Sequence, residues 1–453
     1  MAGEMERVFI ETFGCQMNVA DSERAATVLR SAGYELTDSS ENADVVLLNT
    51  CSVRARAEQK VFQRVGEIRH ARGRFQPLVG VMGCVAQLEG EAIFDHAPTV
   101  RAVVGTRATD RLPSILERLK GGETRALDLG ERALGEEWNV SAVERHSKYV
   151  AFVPIVEGCN KFCTYCIVPY SRGRERSRPA LEIVGEVSRL KAQGYREVHL
   201  IGQNVNSYRP KTPEGLEAFE GATPFSKLLR AVAATGVARV KFTTSFPRDF
   251  HTDIVKAIEG HENLCDWVHL PVQSGNDRVL RAMRRGYKVS DYLARVEAIK
   301  SSRRRLALTS DVIVGFPGET DEEFEDTLRL VERCGFDGLY IFKYSERRGT
   351  PAARLAETVS EEEKTRRFLA LEHLQKGIQR EVYAGYVGRE VSVLVEGESA
   401  RSKEDLTGHT TCNKVVNFPG GSELLGGVVR VRVTLAKANS LYGELSVGAG
   451  ESL

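Results

Sequence analysis

The sequence lacks any apolar run long enough to cross a bilayer, for which roughly 18 residues are needed. Its opening residues, MAGEMERVFIETFGC, lack the basic and apolar regions of a signal peptide. These absences predict a cytoplasmic protein with no membrane partner. An excess of one charge is also missing, because 63 Lys and Arg residues face 62 Asp and Glu residues. Net charge therefore gives no reason to expect a polyanionic partner, and a local surface must bind any such molecule.

What remains is the composition of an ordinary globular protein. The chain has 453 residues, of which 42% are hydrophobic and 28% charged, and this excludes wholesale disorder, collagen and coiled coil. At about 150 residues per domain, we expect two to four domains. The nine cysteines are an odd number, which disfavours a disulfide framework and favours metal ligation, catalysis or burial.

Three cysteines follow apolar runs in the first 120 residues. Short apolar runs alternate there with amphipathic stretches, which predicts a parallel α/β sheet over residues 6–121. The runs end in TFGC, LNTC and VMGC, at Cys15, Cys51 and Cys84. Because the carboxyl ends of parallel strands share one edge of a sheet, these cysteines are expected to converge on one site. The polar stretch 121–148 is interpreted as a linker or a crossing segment.

Six further apolar runs begin at Tyr149 and alternate with helix-like stretches. This alternation predicts a partial or complete (β/α) barrel over residues 145–381, with its functional loops at the strand carboxyl ends. The predicted helices cover 180–193, 249–260, 290–302, 320–333 and 362–383, and residues 209–224 form an insertion. Beyond Tyr383, short alternating strands with Gly, Asn and Pro between them predict a small antiparallel β-barrel over 384–447. The fold class is therefore α/β with a C-terminal β-barrel.

The strongest local motif is EGCNKFCTYCIVPY, which places Cys159, Cys163 and Cys166 in a C-x3-C-x2-C spacing. Three thiolates on one short loop can bind three irons of a cubane cluster and leave the fourth iron open for chemistry. The alternatives are a partial zinc site or three thiols on one helix face. Gly158 and Pro169 disfavour a long helix through the motif.

This motif, placed directly after the first strand of a βα barrel, resembles the radical S-adenosylmethionine (SAM) enzymes. In that family the open iron binds the amino and carboxylate groups of SAM, and electron transfer from the cluster cleaves SAM to a 5′-deoxyadenosyl radical. The resemblance implies that Tyr165 lies near the adenine of SAM. Counterparts of the family's later strand-end positions are Gly202, Gln203, Asn204, Gln273, Ser274 and the segment from Gly315 to Glu319.

With Cys15, Cys51 and Cys84 upstream, the chain resembles the methylthiotransferases, whose N-terminal domain holds a second 4Fe-4S cluster on three cysteines. The C-terminal barrel is similar to the RNA-associated TRAM module. The segments ETFGCQMN, EGCNKFCTYCIVPYSRG, HLPVQSGNDRVLRAMRRGY and TGHTTCNKVVNF are most similar to the members that act on N6-isopentenyladenosine next to the tRNA anticodon, at position 37.

The resemblance implies a reaction that consumes two SAM molecules per turnover. One methylates a sulfur on the N-terminal cluster, and the other supplies a radical that removes hydrogen from adenine C2 before the methylthio group is joined there. The implied partners are tRNA carrying N6-isopentenyladenosine and a reductant protein, with the enzyme itself a monomer.

Three alternatives stay open. Two are methylthiotransferases, one acting on an aspartate of a ribosomal protein and one on threonylcarbamoyladenosine in tRNA. The third is a non-enzymatic RNA-binding protein with zinc-bound cysteines. The sequences NKF, VPYSRG and GCQMN favour the isopentenyladenosine enzyme. Cys265, Cys334 and Cys412 lack partners in sequence and are expected to pack in the core.

Contacts with RNA are expected from basic segments and from aromatic residues. Segments 54–74, 159–178 and 278–305 are rich in Lys and Arg, and they are interpreted either as phosphate contacts or as solvated helix faces. A base that is modified at C2 must leave its stack and can then rest on an aromatic ring. The candidates for that ring are Tyr170, Phe246 and Tyr344.

Overall fold

The computed structural model describes residues 6–52, 55–70, 77–130 and 145–446. The chain divides into two compact units. The first unit comprises residues 1–146, 157–162 and 166–176, and the second comprises 147–156, 163–165 and 177–453. Residues 131–144 of the expected linker lie outside the described ranges. Within those ranges no helix combines the length and apolar character needed to cross a membrane.

The first unit contains a six-stranded sheet in which all the pairings are parallel, with the order β2-β1-β3-β4-β5-β6. The strands are β1 (Arg7–Phe13), β2 (Glu35–Leu36), β3 (Val45–Thr50), β4 (Leu78–Gly83), β5 (Val100–Val104) and β6 (Ala126–Asp128). The helices are α1 (Gln16–Ser31), α2 (Ala55–His70), α3 (Cys84–Glu89), α4 (Ala92–His96) and α5 (Leu112–Lys120). Every residue of β3 is buried, as expected for a parallel strand covered on both faces. The predicted parallel sheet is confirmed, and β5 and β6 extend it.

The second part of the chain forms the predicted partial (β/α) barrel. Its strands are β7 (Val150–Glu157), the short β8 (Arg176–Ser177), β9 (Glu197–Gly202), β10 (Arg239–Phe242), β11 (Trp267–His269), β12 (Ala307–Val314) and β13 (Gly338–Lys343). They form one sheet in the order β10-β9-β7-β8 and another in the order β11-β12-β13. A parallel bridge between Val240 and Leu264 continues the hydrogen bonding from β10 towards β11.

This part contains eight described helices, of which five match the predicted ranges 180–193, 249–260, 290–302, 320–333 and 362–383 and three were not predicted. The eight helices are α6 (Val168–Arg172), α7 (Ala180–Ala192), α8 (Pro224–Ala234), α9 (Thr252–Gly260), α10 (Asp277–Ala282), α11 (Val289–Lys300), α12 (Asp321–Cys334) and α13 (Glu361–Ala384). The bounds of α12 have a local cause, because Thr320 and Glu323 form a capping box and Gly335 ends the helix in a left-handed conformation. The insertion 209–224 has neither helix nor strand before α8 begins at its last residue.

The C-terminal residues form a closed five-stranded barrel with the order β14-β15-β16-β18-β17. The strands are β14 (Glu390–Ser399), β15 (Ser402–Thr410), β16 (Val415–Pro419), β17 (Val428–Ala436) and β18 (Leu441–Leu445). All the neighbouring pairs are antiparallel except β16 and β18, which are parallel. Its core includes Val393, Phe418 and Val431 and is continuous with Tyr383 and Trp267. The predicted small β-barrel is confirmed.

Candidate functional site

The three N-terminal cysteines stand side by side at one edge of the first sheet. Phe13 of β1 pairs with Thr50 of β3, and Thr50 pairs with Gly83 of β4. The strands therefore end in register, and each is followed within two residues by a cysteine: Cys15, Cys51 and Cys84. This is the arrangement that the strand pattern predicts.

The thiols of these cysteines share one electrostatic environment. The hydrogen bond with Cys51 and the positive charge of Arg172 lower the pKa of the Cys15 thiol to about 5, although burial opposes the shift. Burial raises the pKa of Cys84, against the opposing charge of Arg172. Cys84 also interacts electrostatically with Cys15. Cys15 therefore interacts with both Cys51 and Cys84, and Arg172 acts on Cys15 and Cys84.

Buried amides and glycines hold this edge in shape. The Asn18 side chain accepts from the backbone N–H of Cys15 over 3.3 Å and donates to Asn49 Oδ1 over 3.1 Å. Asn49 in turn donates to the Asn18 carbonyl over 2.8 Å. Gly83 has a φ of 93°, and a Cβ there would lie 2.3 Å from Asn49 Oδ1. Any side chain in place of Gly83 would therefore displace the paired amides of Asn18 and Asn49.

The donor set fits an iron–sulfur cluster. Within the described residues, no three His, Cys, Asp or Glu side chains surround a point as ligands of a single metal ion. In a cubane cluster each thiolate binds a different iron, so the sulfurs stand farther apart than the ligands of one ion. Three thiols along one sheet edge, with a buried cation beside them, suit that larger, anionic group.

The mid-chain motif begins in a loop that packs against the backbone of residues 173–175. Gly158 has a φ of 81°, and a Cβ there would lie 2.2 Å from the Arg174 carbonyl oxygen. The backbone N–H of Cys159 donates to the Gly173 carbonyl over 3.1 Å. The Asn160 side chain accepts from the backbone of Glu175 over 3.1 Å. The segment after α6 therefore fixes the backbone on both sides of the first cysteine.

The next part of the motif is held by the segment that follows α10, within the second unit. Thr164 donates from its backbone N–H to the Met283 carbonyl over 3.1 Å and from Oγ1 to the Ala282 carbonyl over 2.9 Å. Cys163 Sγ and Tyr165 Oη both accept hydrogen bonds from Nη1 of Arg285, over 3.4 and 3.3 Å. Tyr165, predicted to lie near SAM, is thus linked to a cysteine of the motif through one guanidinium.

The other predicted cofactor contacts lie at strand carboxyl ends, as expected. Gln203 directly follows β9. Gln273 has a φ of 79° and is held by backbone hydrogen bonds to β12 through Asp311 and Ile313. Such a strained residue is typical of functional sites. Ser274 is fully buried, and its Oγ accepts from the Asn276 backbone over 3.3 Å.

In the segment from Gly315 to Glu319, the Glu319 carboxylate has a structural role. Oε2 of Glu319 accepts from the Gly315 backbone over 2.6 Å and forms a 2.8 Å ion pair with Arg367. Both side chains of that ion pair are buried. Glu319 therefore shapes the turn after β12 and fastens α13 to it.

Two of the three candidate stacking residues are corrected by the structure. Phe246 and Tyr344 are only 2% and 4% exposed, whereas Tyr170 is 47% exposed. Phe246 lies under the guanidinium of Arg285, and Tyr344 packs edge-on against Phe316. Neither buried ring is available to a base in this structure.

The interpretation of the basic segments also needs correction at two positions. Arg172 and Arg285 are 3% and 5% exposed, so they are neither solvated nor open to phosphate. Arg172 acts on Cys15 and Cys84, and Arg285 donates to Cys163. Counting charges along the sequence missed both relationships because a count does not show which residues are buried. The only signal was their place, in VPYSRG and MRRGY, inside the quoted motifs. The segment 54–74 lies partly outside the described residues, at 54 and 71–74.

The remaining cysteines are packing residues, as predicted. Cys265, Cys334 and Cys412 are all buried. Burial raises the pKa of Cys265 to about 12 and that of Cys334 to about 11, so both stay protonated thiols. Cys412 Sγ lies 3.2 Å from Tyr386 Oη within the barrel core.

The sequence matches three family descriptions. They are "Uncharacterized protein family UPF0004" over residues 7–105, "Radical SAM superfamily" over 153–331 and "TRAM domain" over 385–446. Among curated proteins, the chain is 45% identical over 441 residues to the tRNA-2-methylthio-N(6)-dimethylallyladenosine synthase of Solibacter usitatus, covering 96% of this chain and 97% of that protein. It is 43% identical to the synthases of the same name from Koribacter versatilis and Geobacter metallireducens, with coverage of 98% and 99% of this chain and of 99% and 100% of theirs.

Solved structures support the fold. The radical SAM methyltransferase TsrM from Kitasatospora setae, with cobalamin and a 4Fe-4S cluster bound, matches with a TM-score of 0.57 at 14% identity. The match covers 77% of this chain and 74% of that one. The cobalamin-dependent radical SAM enzyme OxsB matches with a TM-score of 0.52 at 10% identity, covering 82% and 56% of the two chains.

Proposed function

We propose that this chain, which belongs to the family of tRNA-2-methylthio-N(6)-dimethylallyladenosine synthases, holds two 4Fe-4S clusters on six cysteines. It is a radical SAM enzyme of tRNA modification. It uses SAM and a 4Fe-4S cluster, and its substrate is tRNA. The reaction adds a methylthio group to C2 of N6-isopentenyladenosine, which we place next to the anticodon at position 37.

The chemistry of the substrate supports a radical mechanism. An aromatic C–H bond has no useful acidity, so a general base, worth about 10² to 10⁴-fold, is insufficient. A cofactor must supply the difficult step. When bound, the cluster on Cys159, Cys163 and Cys166 would supply the electron that splits SAM, and the cluster on Cys15, Cys51 and Cys84 would carry the sulfur.

The proposal of a second cluster rests on the arrangement of Cys15, Cys51 and Cys84 along one sheet edge. Their strands end in register, and the Cys15 thiol is already tuned by Cys51 and Arg172. A thiol that gives up its proton readily is a better iron ligand, since the thiolate is the ligating form. Cys15 differs in this respect from the packing residues Cys265 and Cys334, whose pKa values are raised by burial, as is that of Cys84.

Several finer assignments belong to this proposal. Tyr165, Gln203, Gln273 and Ser274 are the candidates for contact with SAM, two molecules of which are consumed per turnover. The predicted domains span 6–121, 145–381 and 384–447, and β6 extends the first of them to Asp128. The enzyme acts as a cytoplasmic monomer, and a reductant protein supplies electrons. Support for the Gln273 assignment comes from its positive φ at a strand carboxyl end.

Nucleoside analysis of tRNA tests the substrate assignment. A strain that lacks the gene should lose 2-methylthio-N6-isopentenyladenosine and accumulate its unmodified precursor. The methylthio derivative of threonylcarbamoyladenosine, and the methylthio mark on ribosomal protein, should persist. Unchanged 2-methylthio-N6-isopentenyladenosine would contradict the assignment.

A further inference from the structure

Arg285 is a buried cation whose hydrogen bonds are all to neutral oxygens or to sulfur. It lies in the turn after α10, between Arg284 and Gly286, which both have positive φ values, of 56° and 69°. Nε donates to Tyr287 Oη and Nη2 to the Pro271 carbonyl, each over 3.0 Å. Nη1 donates to Cys163 Sγ and Tyr165 Oη. Among the described residues, none of these side-chain hydrogen-bond partners is a carboxylate.

A buried charge of this kind needs compensation. Removing a guanidinium from water is costly unless an opposite charge and hydrogen bonds replace the lost solvation. The rings of Phe246 and Tyr287 lie 4.5 and 5.4 Å from the guanidinium carbon and give partial compensation through cation–π contact. Of the groups that Arg285 touches, the Cys163 sulfur is the one that becomes anionic when it binds iron.

The position of the guanidinium relative to Cys163 is fixed by backbone contacts. Thr164, the residue after Cys163, is hydrogen-bonded twice to the carbonyls of Ala282 and Met283. These two residues end α10 and precede Arg285 by three and two positions. The cysteine and the arginine are therefore joined by a short rigid path, and the N–H···S contact does not depend on a mobile side chain alone.

We propose that Arg285 is a positioning residue that donates a hydrogen bond to the iron-bound Cys163 sulfur and raises the reduction potential of the mid-chain cluster. The proposal rests on the function proposed above. Reduction adds one electron, taken from an external reductant, and no bond breaks. Because the reduced cluster is more negative, a nearby positive charge and a hydrogen bond to sulfur stabilise it relative to the oxidised form.

The test uses the full chain carrying Cys15→Ala, Cys51→Ala and Cys84→Ala, so that only one cluster contributes signals. Arg285→Gln and Arg285→Lys are introduced into this parent, with Arg281→Gln on the exposed side of α10 as a control for the loss of one positive charge. Each protein is reconstituted anaerobically, iron and sulfide are measured, and the cluster is titrated with dithionite under electron paramagnetic resonance.

We expect about four irons in each protein. Arg285→Gln should lower the equilibrium constant for reduction at least tenfold, which is about 59 mV for a one-electron couple. Arg285→Lys keeps the charge and loses the planar fork, so its potential should fall between that of the parent and that of Arg285→Gln. Arg281→Gln should titrate like the parent.

The outcomes that overturn the inference are distinct from failure of the proposed function. A parent without iron contradicts the proposed cluster itself. Iron-loaded Arg285 variants with the parental potential show that the arginine does not tune the cluster. If Arg285→Gln does not fold, Arg285→Lys alone tests the inference. A reduction potential below that of the parent supports it, and an unchanged reduction potential overturns it. Folded variants that both lack iron show that Arg285 is needed to assemble the site rather than to set its potential.

Discussion

Nη2 of Arg172 donates to Oδ2 of Asp21 over 2.6 Å and joins α6, which follows the third mid-chain cysteine, to α1, which follows Cys15. The Arg172 and Asp21 side chains are 3% and 12% exposed. Arg172 also acts electrostatically on Cys15 and Cys84. The ion pair with Asp21, together with a longer one of 4.0 Å to Glu157, therefore holds Arg172 beside Cys15 and Cys84.

Asp21→Asn should destabilise the apoprotein strongly, because it removes the nearer of two buried counter-charges of Arg172 and leaves only Glu157, at 4.0 Å. Breaking a buried ion pair costs about 3 to 5 kcal/mol. The free energy of unfolding in urea measures this loss. The control is Glu123→Gln, which breaks the exposed pair with Arg118 and should cost at most about 1 kcal/mol. Asp21→Asn combined with Arg172→Gln should cost less than the sum of the single changes, and simple additivity would contradict the coupling.

Iron content should separate the two cysteine trios. The reconstituted native chain should bind about eight irons, and either triple Cys→Ala variant, of Cys15, Cys51 and Cys84 or of Cys159, Cys163 and Cys166, should bind about four. The first variant should still cleave SAM without forming methylthio product, and the second should do neither. The buried Cys334 offers a matched control, since Cys334→Ala should keep both clusters. Methylthio product from the first variant would disprove the role of the N-terminal trio.

Gly158→Ala should prevent assembly of the mid-chain cluster. The added Cβ would lie 2.2 Å from the Arg174 carbonyl oxygen, and φ at this position is 81°, so the backbone before Cys159 must shift. We expect about four irons, held by the N-terminal trio alone. Gly194→Ala is the control, because Gly194 has a similar φ of 90° with open space around it. Iron binding equal to that of Gly194→Ala would show that the loop tolerates the displacement.

The sequence predicted the features that depend on local pattern. Apolar runs ending in TFGC, LNTC and VMGC placed Cys15, Cys51 and Cys84 at strand ends, and parallel pairing made their convergence a geometric consequence. The six βα units and the closed C-terminal barrel followed from the alternation of apolar runs with turn residues. The predicted helix 320–333 matches α12, whose bounds the structure explains by the capping box at Thr320 and the left-handed Gly335.

Features that depend on tertiary burial were not predictable in this way. Arg172 and Arg285 counted as basic residues of segments expected to face RNA or solvent, yet the fold buries both beside cysteines. Phe246 was a candidate for base stacking, but its ring is covered by Arg285 and Tyr287. A single sequence gives the charge and size of a side chain and not which neighbours enclose it.

Glu197 lies at the amino-terminal end of the barrel strands. It is buried at the start of β9, 2.9 Å from Lys241 Nζ and 3.8 Å from Arg239 Nη1. Arg239 also donates to the His409 carbonyl of β15 over 2.7 Å, so the carboxylate supports the contact between the partial barrel and the C-terminal barrel. Burial alone would raise the pKa of Glu197, but the charge of Lys241 and the hydrogen bond with His199 hold it well below its ordinary value.

A depressed pKa means that Glu197 contributes stability above its unfolded-state pKa, and that this contribution is lost as the pH falls towards the folded-state pKa. Glu197→Gln should therefore lower the free energy of unfolding by about 3 to 5 kcal/mol at pH 7, since Lys241 and Arg239 lose their buried counter-charge. The difference from the native chain should stay constant down to about pH 5 and narrow below about pH 4.3, where the unfolded carboxylate takes up its proton. Urea unfolding at several pH values measures it, with the solvent-exposed Glu390→Gln as control. A difference that does not change with pH would mean that Glu197 acts through packing and not through its charge.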